Sequence, residues 1–217
     1  RRNPADVYLP DGFFGAIIEK LRRLTQAHDL RIGIVYPFDS RTRMLPYWYA
    51  DERVAPCSVR VIADCLDAAG FKHIRIVLQQ WTPNFRPSQA VLDGRPLDML
   101  LISAMQVHAE CADEMIRDAH ERGSDRPWII AGGPKAIYEP ADLFELGPQP
   151  GMGADCVVTG EVFVLLEMLE SVLSHWQASE TVLQGFERAR ASGALESIPG
   201  LVYLDTTSTH DRPVAIN

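Results

Sequence analysis

Trp128-Ile129-Ile130-Ala131-Gly132-Gly133-Pro134 sets a short apolar run directly against two glycines and a proline. A run of this length bounded by Gly and Pro reads as a strand, and one that is apolar at every position is a strand covered on both faces. The same form recurs along the chain. Arg31-Ile32-Gly33-Ile34-Val35-Tyr36, residues 74–78, 97–102 and 154–158 are four more such runs, the last ending in Thr159-Gly160-Glu161. Between them the spacing predicts helices over 56–69, with Pro56 in the first turn and Gly70 as terminator, over 109–122, closed by Gly123, and over 161–175. An amphipathic helix over 13–24 precedes the first strand and presents Phe14, Ile17, Ile18 and Leu21 on one side. Strands alternating with helices predict βαβ units and an α/β fold, a doubly wound sheet of five parallel strands. In such a sheet the ligand lies beyond the carboxyl ends of the strands, so the loops after Tyr36, Ile102, Ala131 and Val158 are the ones to inspect.

The tail breaks this rhythm. A helix over 180–190 is followed by an apolar run at 198–204, a polar turn, and Val214-Ala215-Ile216-Asn217, which reads as a β-hairpin leading toward a further domain. The expected organisation is a helical extension over 1–30, an α/β domain over 31–178, and a helix-and-hairpin linker over 179–217.

Bulk composition narrows the functions. A net charge of −8 argues against a nucleic-acid partner or an anionic membrane surface, since both reward basic patches. No apolar run approaches the roughly 18–20 residues that span a bilayer. The start, Arg1-Arg2-Asn3-Pro4, has neither an initiating Met nor an apolar signal core, and is read as the trimmed start of a cytoplasmic chain. Cys57, Cys65, Cys111 and Cys156 form no C-x-x-C pair and fit no zinc or iron–sulfur spacing, so they are read as small hydrophobes.

The strand-end loops are lean. Ser103-Ala104 follows the third strand, Gly132-Gly133 the fourth and Gly160 the fifth. Missing side chains at strand ends let a ligand approach the backbone, Ser103 adds a hydroxyl, and Glu161 stands at a helix start, where free N–H groups gather. Together they predict a narrow slot for a flat or rod-like polar group. Each residue also has a plainer reading: Ser103 as a turn cap, Gly132-Gly133-Pro134 as a simple turn or phosphate loop, Glu161 as a first-turn acid, Thr159 as a helix N-cap. No G-x-G-x-x-G or Walker pattern surrounds the glycines, which disfavours nucleotides. The loop over 37–54 carries Phe38, Tyr47, Trp48 and Tyr49 just after Tyr36, and reads either as packing or as a lid. Trp81 and Trp128 read as packing residues, and His28, His73, His120, His175 and His210 as surface residues.

Ser103-Ala104-Met105, followed after 26 residues by Gly132-Gly133, resembles the vitamin B12-binding domain family. In that family a serine step and a Gly-Gly pair line the channel for the cofactor's nucleotide tail. The family's D-x-H-x-x-G motif, whose histidine ligates cobalt, is absent: the family spacing points to Pro56-Cys57-Ser58-Val59-Arg60-Val61. That departure is similar to the branch found at the front of radical S-adenosylmethionine (radical SAM) enzymes. Ala131-Gly132-Gly133-Pro134-Lys135-Ala136, Glu139-Pro140-Ala141-Asp142-Leu143, Ala154-Asp155-Cys156-Val157-Val158-Thr159-Gly160-Glu161 and Leu165-Leu166-Glu167-Met168-Leu169 resemble that branch's pattern, and Ile198-Pro199-Gly200-Leu201-Val202-Tyr203 resembles its linker. The likeness covers roughly residues 31–205.

The resemblance implies a flavodoxin-like, Rossmann-type domain that binds cobalamin, with its base off cobalt and no protein imidazole in its place. The implied contacts are Pro37, Phe38, Ser103, Ala104, Met105, Gly132, Gly133, Pro134, Thr159, Gly160 and Glu161. His108, just after the third strand, is the alternative cobalt ligand, and its position suits helix entry. No C-x-x-x-C-x-x-C is present, so a [4Fe–4S] cluster and S-adenosylmethionine are expected only in a C-terminal radical SAM domain of the same chain. That domain and cobalamin are the expected partners, and this stretch is expected to be non-catalytic. Two alternatives stand beside this reading: a degenerate domain of the same fold serving as a scaffold, and a receiver-like signalling domain, which needs an Asp where Ser103 stands.

Overall fold

The computed structural model describes residues 9–42, 56–144, 151–177, 179–204 and 214–216. Tyr47, Trp48, Tyr49 and His210 of the sequence reading lie outside these residues. The main elements run α1 (Phe13–Thr25), β1 (Arg31–Tyr36), α2 (Cys57–Ala68), β2 (His73–Leu78), β3 (Val91–Leu92), β4 (Arg95–Pro96), β5 (Met99–Ser103) and α3 (Ala109–His120). They continue β6 (Trp128–Gly132), α4 (Pro134–Tyr138), β7 (Cys156–Val158), α5 (Val162–His175), α6 (Val182–Ala191), β8 (Leu201–Leu204) and β9 (Val214–Ile216). No helix among the described residues is long and apolar enough to cross a membrane.

One sheet organises the chain, in the order β2-β1-β5-β6-β7-β8-β9. From β2 through β7 every pairing is parallel. These are the five expected strands, and counted alone they stand in the order 2-1-3-4-5 of a doubly wound sheet. The expected strand count is corrected from five to seven, because β8 and β9 do not lead away but pair antiparallel onto the β7 edge. Burial explains this: Leu201, Val202 and Tyr203 would be exposed on a free hairpin, and on the sheet they enter both cores.

Alternate residues of each strand feed the two faces. Ile32, Ile34, Met99, Leu101, Trp128 and Ile130 pack beneath α1, α2, α5 and α6, where Leu21, Leu66, Leu169 and Phe186 meet them. Val35, Leu100, Ile102, Ile129 and Val157 face the other way, toward α3 and α4 with Ile116 and Ala136. Trp128 stacks on Phe186 with ring centroids 5.1 Å apart, so its packing role holds. Trp81 is 56% exposed and does not share it. The α6 helix begins at Val182, later than expected, because Thr181 and Gln184 form a capping box in which each side chain accepts the other's backbone N–H. Asp93-Gly94 is the tip of the small β3–β4 ribbon. Its φ values of 50° and 76° are those of a primed two-residue hairpin turn.

The histidines are less peripheral than expected. His28 packs its ring on Trp176 at 4.2 Å, and His73 bridges Asp29 and Asp93. His120 Nε2 lies 2.8 Å from the Gly153 carbonyl oxygen, and burial lowers its pKa.

Two aspartates fix the register where strands begin. Asp98 accepts the Arg31 N–H at 2.7 Å while its own N–H donates to the Arg31 carbonyl. Asp155 repeats this two strands over, between β6 and β7, accepting the Ile129 N–H at 2.8 Å and donating to the Ile129 carbonyl. Its carboxylate also takes both ends of the Arg126 guanidinium, at 2.7 and 2.6 Å, with both side chains largely buried. Removing one partner of such a pair strands the other's charge. Asp155→Ala is therefore expected to lower unfolding stability by about 3 kcal/mol in urea titrations. Arg126→Ala added to that variant is expected to add little, because its partner is already gone.

Candidate ligand slot at the strand ends

Strand order reverses between β1 and β5, the place where a doubly wound sheet opens a crevice beyond its carboxyl ends. A cavity of about 350 Å³ opens there, between the sheet and the helices α2 and α5. Its floor is apolar: Ile34, Leu101, Ile130 and Val158 come from four different strands. Ser103, Gly132, Gly133 and Gly160 form the strand-end rim, and Val61, Ile62 and Leu165 wall it from the helices.

Local backbone geometry makes the rim lean. Gly133 has φ of 92°, a conformation L side chains rarely adopt, and a Cβ there would sit 2.8 Å from the Ala104 carbonyl oxygen. The approach is closed by two hydrogen bonds, from Ala104 N–H to the Gly132 carbonyl at 2.7 Å and from Lys135 N–H to the Ala104 carbonyl at 3.0 Å. Gly132 differs: a Cβ there would meet nothing nearer than the Val158 carbonyl at 3.5 Å, an ordinary contact. Ser103 is buried, with its Oγ 3.4 Å from Ser58 Oγ on the first turn of α2.

Five of the expected contact residues thus come together on the cavity: Ser103, Gly132, Gly133, Gly160 and Glu161. The other six do not line it. Ala104 is fully buried in the core of the opposite face. Met105 accepts the Tyr36 hydroxyl on its sulfur at 2.9 Å, and Pro134 is an exposed first residue of α4. Pro37 and Phe38 are buried beside the slot, Phe38 N–H donating to Gln79 Oε1 at 2.7 Å. Thr159 does not cap the helix: its hydroxyl donates to the Gly200 carbonyl at 3.0 Å, tying β7 to the turn before β8. Glu161 holds the N-cap position of α5, and its side chain makes no capping bond.

His108 is buried at the entry to α3. Its Nδ1 accepts the Asp39 N–H at 3.1 Å, and its ring packs against Phe38 at 4.8 Å and Tyr36 at 5.9 Å. It pins the loop after β1 to the loop after β5. Asp39, the acid after the first strand, is held by Arg41, whose hydrogen bonds keep its carboxyl below the usual range. Cys156 is buried near Met168 and burial pushes its thiol pKa up, in keeping with a packing role. Among the described residues, no group of three or more His, Cys, Asp and Glu is gathered to hold a metal ion.

Sequence reading missed the helix wall. Cys57, Ser58, Val61 and Ile62 recur at helical spacing and share the face of α2 that borders the cavity. The signal is present in outline, because the family spacing for the absent D-x-H-x-x-G motif falls on 56–61. What such an arrangement can do is hold a flat, largely apolar group against backbone, with two hydroxyls near it.

The chain matches no family model, no curated protein and no solved structure.

The two glycines separate backbone need from slot need. Gly133→Ala is expected to destabilise the fold by about 2 kcal/mol, from strain at positive φ and the clash with Ala104. Gly132→Ala is expected to leave stability unchanged or to raise it by up to about 1 kcal/mol, since its Cβ has room and a strand interior favours alanine over glycine. Urea midpoints for the two variants check the contrast.

Proposed function

We propose that this chain is a cobalamin-binding domain, and that the cavity beyond β1, β5, β6 and β7 receives the cofactor's nucleotide tail. The observation that carries the reading is the convergence of Ser103, Gly132-Gly133 and Gly160, from three neighbouring strands, on one apolar slot of about 350 Å³ at the switch point. Ligand pockets span about 300–1,000 Å³, so this one has room for a base and its sugar but not for a whole corrinoid. The residues fit that group. Aliphatic walls desolvate a planar base, the Ser58–Ser103 hydroxyl pair offers a hydrogen bond, and the missing Cβ of Gly132 leaves space for the tail.

In this reading the strand-sequence likeness and the flavodoxin-like strand order belong together, and the domain stands ahead of a radical SAM domain. When bound, the cofactor supplies a cobalt centre able to carry a methyl group or to pass electrons. The chain's own share is positional. The slot holds the displaced base away from water, and the His108–Asp39 contact fixes the loops beside its mouth. A scaffold that binds nothing would have no use for an open slot floored by Ile34, Leu101 and Ile130. A receiver-like reading needs a carboxylate at the end of β5, where Ser103 stands.

Mixing the chain with hydroxocobalamin, desalting it and recording the visible spectrum of the protein peak tests the proposal. A retained, base-off spectrum is expected, and Gly132→Leu and Ser103→Leu, each checked for folding by circular dichroism, are expected to lose it. A colourless parent peak, repeated with any longer form of the protein, would overturn the reading.

A further inference from the structure

The amino end of the sheet, far from the slot, carries a charged device of its own. His73, the first residue of β2, has a carboxylate at each ring nitrogen: Nε2 lies 2.8 Å from Asp29 Oδ1 and Nδ1 lies 2.5 Å from Asp93 Oδ2. A neutral imidazole has one N–H and one lone pair, so it can donate to only one of them, whereas the imidazolium serves both. The two acids are not held alike. Asp29 also takes Arg31 at 3.0 Å and Arg95 at 3.4 Å, and these cations, Arg31 foremost, act with His73 to keep its carboxyl below the usual range. Asp93 pairs with His73 and with no other cation among the described residues. Lys72 and Arg75 are the charged neighbours of His73 in its own segment.

Asp93 stands at the tip of the β3–β4 ribbon. Each strand there has two residues, Leu92 packs on the core, and Val91, Asp93, Gly94, Arg95 and Pro96 are exposed. A two-stranded ribbon this short is marginal by itself. An exposed ion pair adds little to a rigid element, but this tip has little else to hold it. The ribbon also walls a second cavity, of about 540 Å³, which Arg95 and Pro96 line together with His28, Leu30 and Trp176. We infer that His73 is a proton-operated clasp: its imidazolium holds the ribbon tip beside the start of β1, and loss of the proton frees the tip and opens the ribbon wall of this cavity. The sign follows from the charges. Between the ordinary carboxylate range near about 4 and the ordinary histidine value of about 6.5, the acids are ionised, the ring carries its second proton and the ribbon is closed. In more alkaline solution the ring is neutral and Asp93 loses its cation. The clasp does not depend on what fills the strand-end slot.

The test is hydrogen exchange of the backbone over 91–96, followed by mass spectrometry at about pH 5.5 and about pH 8.5, either side of the ordinary histidine value. Rates are divided by the intrinsic exchange rate at each pH, so that only protection is compared. Protection of the ribbon is expected to fall at least threefold at the higher pH, while β5 and β6 keep theirs. His73→Gln cannot gain a charge, and Asp93→Asn removes the carboxylate while keeping a residue suited to positive φ. Both variants, checked for folding by circular dichroism, are expected to show low ribbon protection with no dependence on pH. Nitrogen NMR of the parent's His73 ring is expected to show both nitrogens protonated at the lower pH. A neutral ring there, a ribbon whose protection does not change with pH, or the same fall persisting in folded His73→Gln would each overturn the inference.

Discussion

The geometry at the carboxyl ends of the strands hangs on the approach of Gly133 to Ala104. With no side chain at residue 133, the turn leaving β6 lies directly on the backbone leaving β5, and two short hydrogen bonds lock it there. A Cβ would force the two strand ends apart. The two strand ends stay together, α4 turns onto the α3 face of the sheet, and the cavity opens on the opposite face at the strand ends. There the core ends and the slot begins. Lys135, whose N–H makes one of those bonds, is itself buried and reaches Glu139 and Asp142 at 3.2 and 3.6 Å, so the turn is held from its outer side as well.

The slot is therefore an interruption in one core rather than a hole cut through the fold. Ile34, Leu101 and Ile130 point to the same face as Ile32, Met99 and Trp128, but they lie nearer the strand ends, where the cavity opens between the sheet and the helices α2 and α5. All six are buried, and Ile34, Leu101 and Ile130 also line the cavity. This arrangement needs the strands to be in register, and Asp98 and Asp155 set that register from the far end of the sheet. Buried ion pairing at Asp155 thus bears on the site without touching it, since a slipped β7 would carry Val158 and Gly160 away from Gly132.

How much of this the sequence shows depends on how local the signal is. The parallel strands are legible because a strand buried on both faces is apolar throughout, and the structure places them within two residues of expectation. Ser103, Gly132, Gly133 and Gly160 are legible as lean positions because each follows such a run. Features that depend on a distant partner are not. Thr159 looks like a cap until Gly200 is brought beside it, and β8 looks like a departing hairpin until the β7 edge needs covering. Ser58 carries no signal of its own, and its nearness to Ser103 comes from the way α2 crosses the sheet. Asp93-Gly94 was locally legible as a tight hairpin, but the flanking strands of two residues each gave it no alternation to be recognised by.

Gly132 offers a way to distinguish a site from a mere fold. Its φ is not in the left-handed region and its missing Cβ has room, so nothing in the backbone requires glycine there. Glycine inside a strand nevertheless costs about 0.5–1 kcal/mol against alanine. Gly133 beside it is explained by geometry alone, and Gly160 by the nearness of Val164, whose Cγ2 would lie 2.8 Å from an added Cβ. Gly132 is explained by neither. What its missing side chain does provide is volume at the rim of the cavity, between Ser103 and Val158. A residue that weakens its own strand and widens the slot is understood most simply through whatever fills the slot, and that is the ground on which the proposal of a binding site rests.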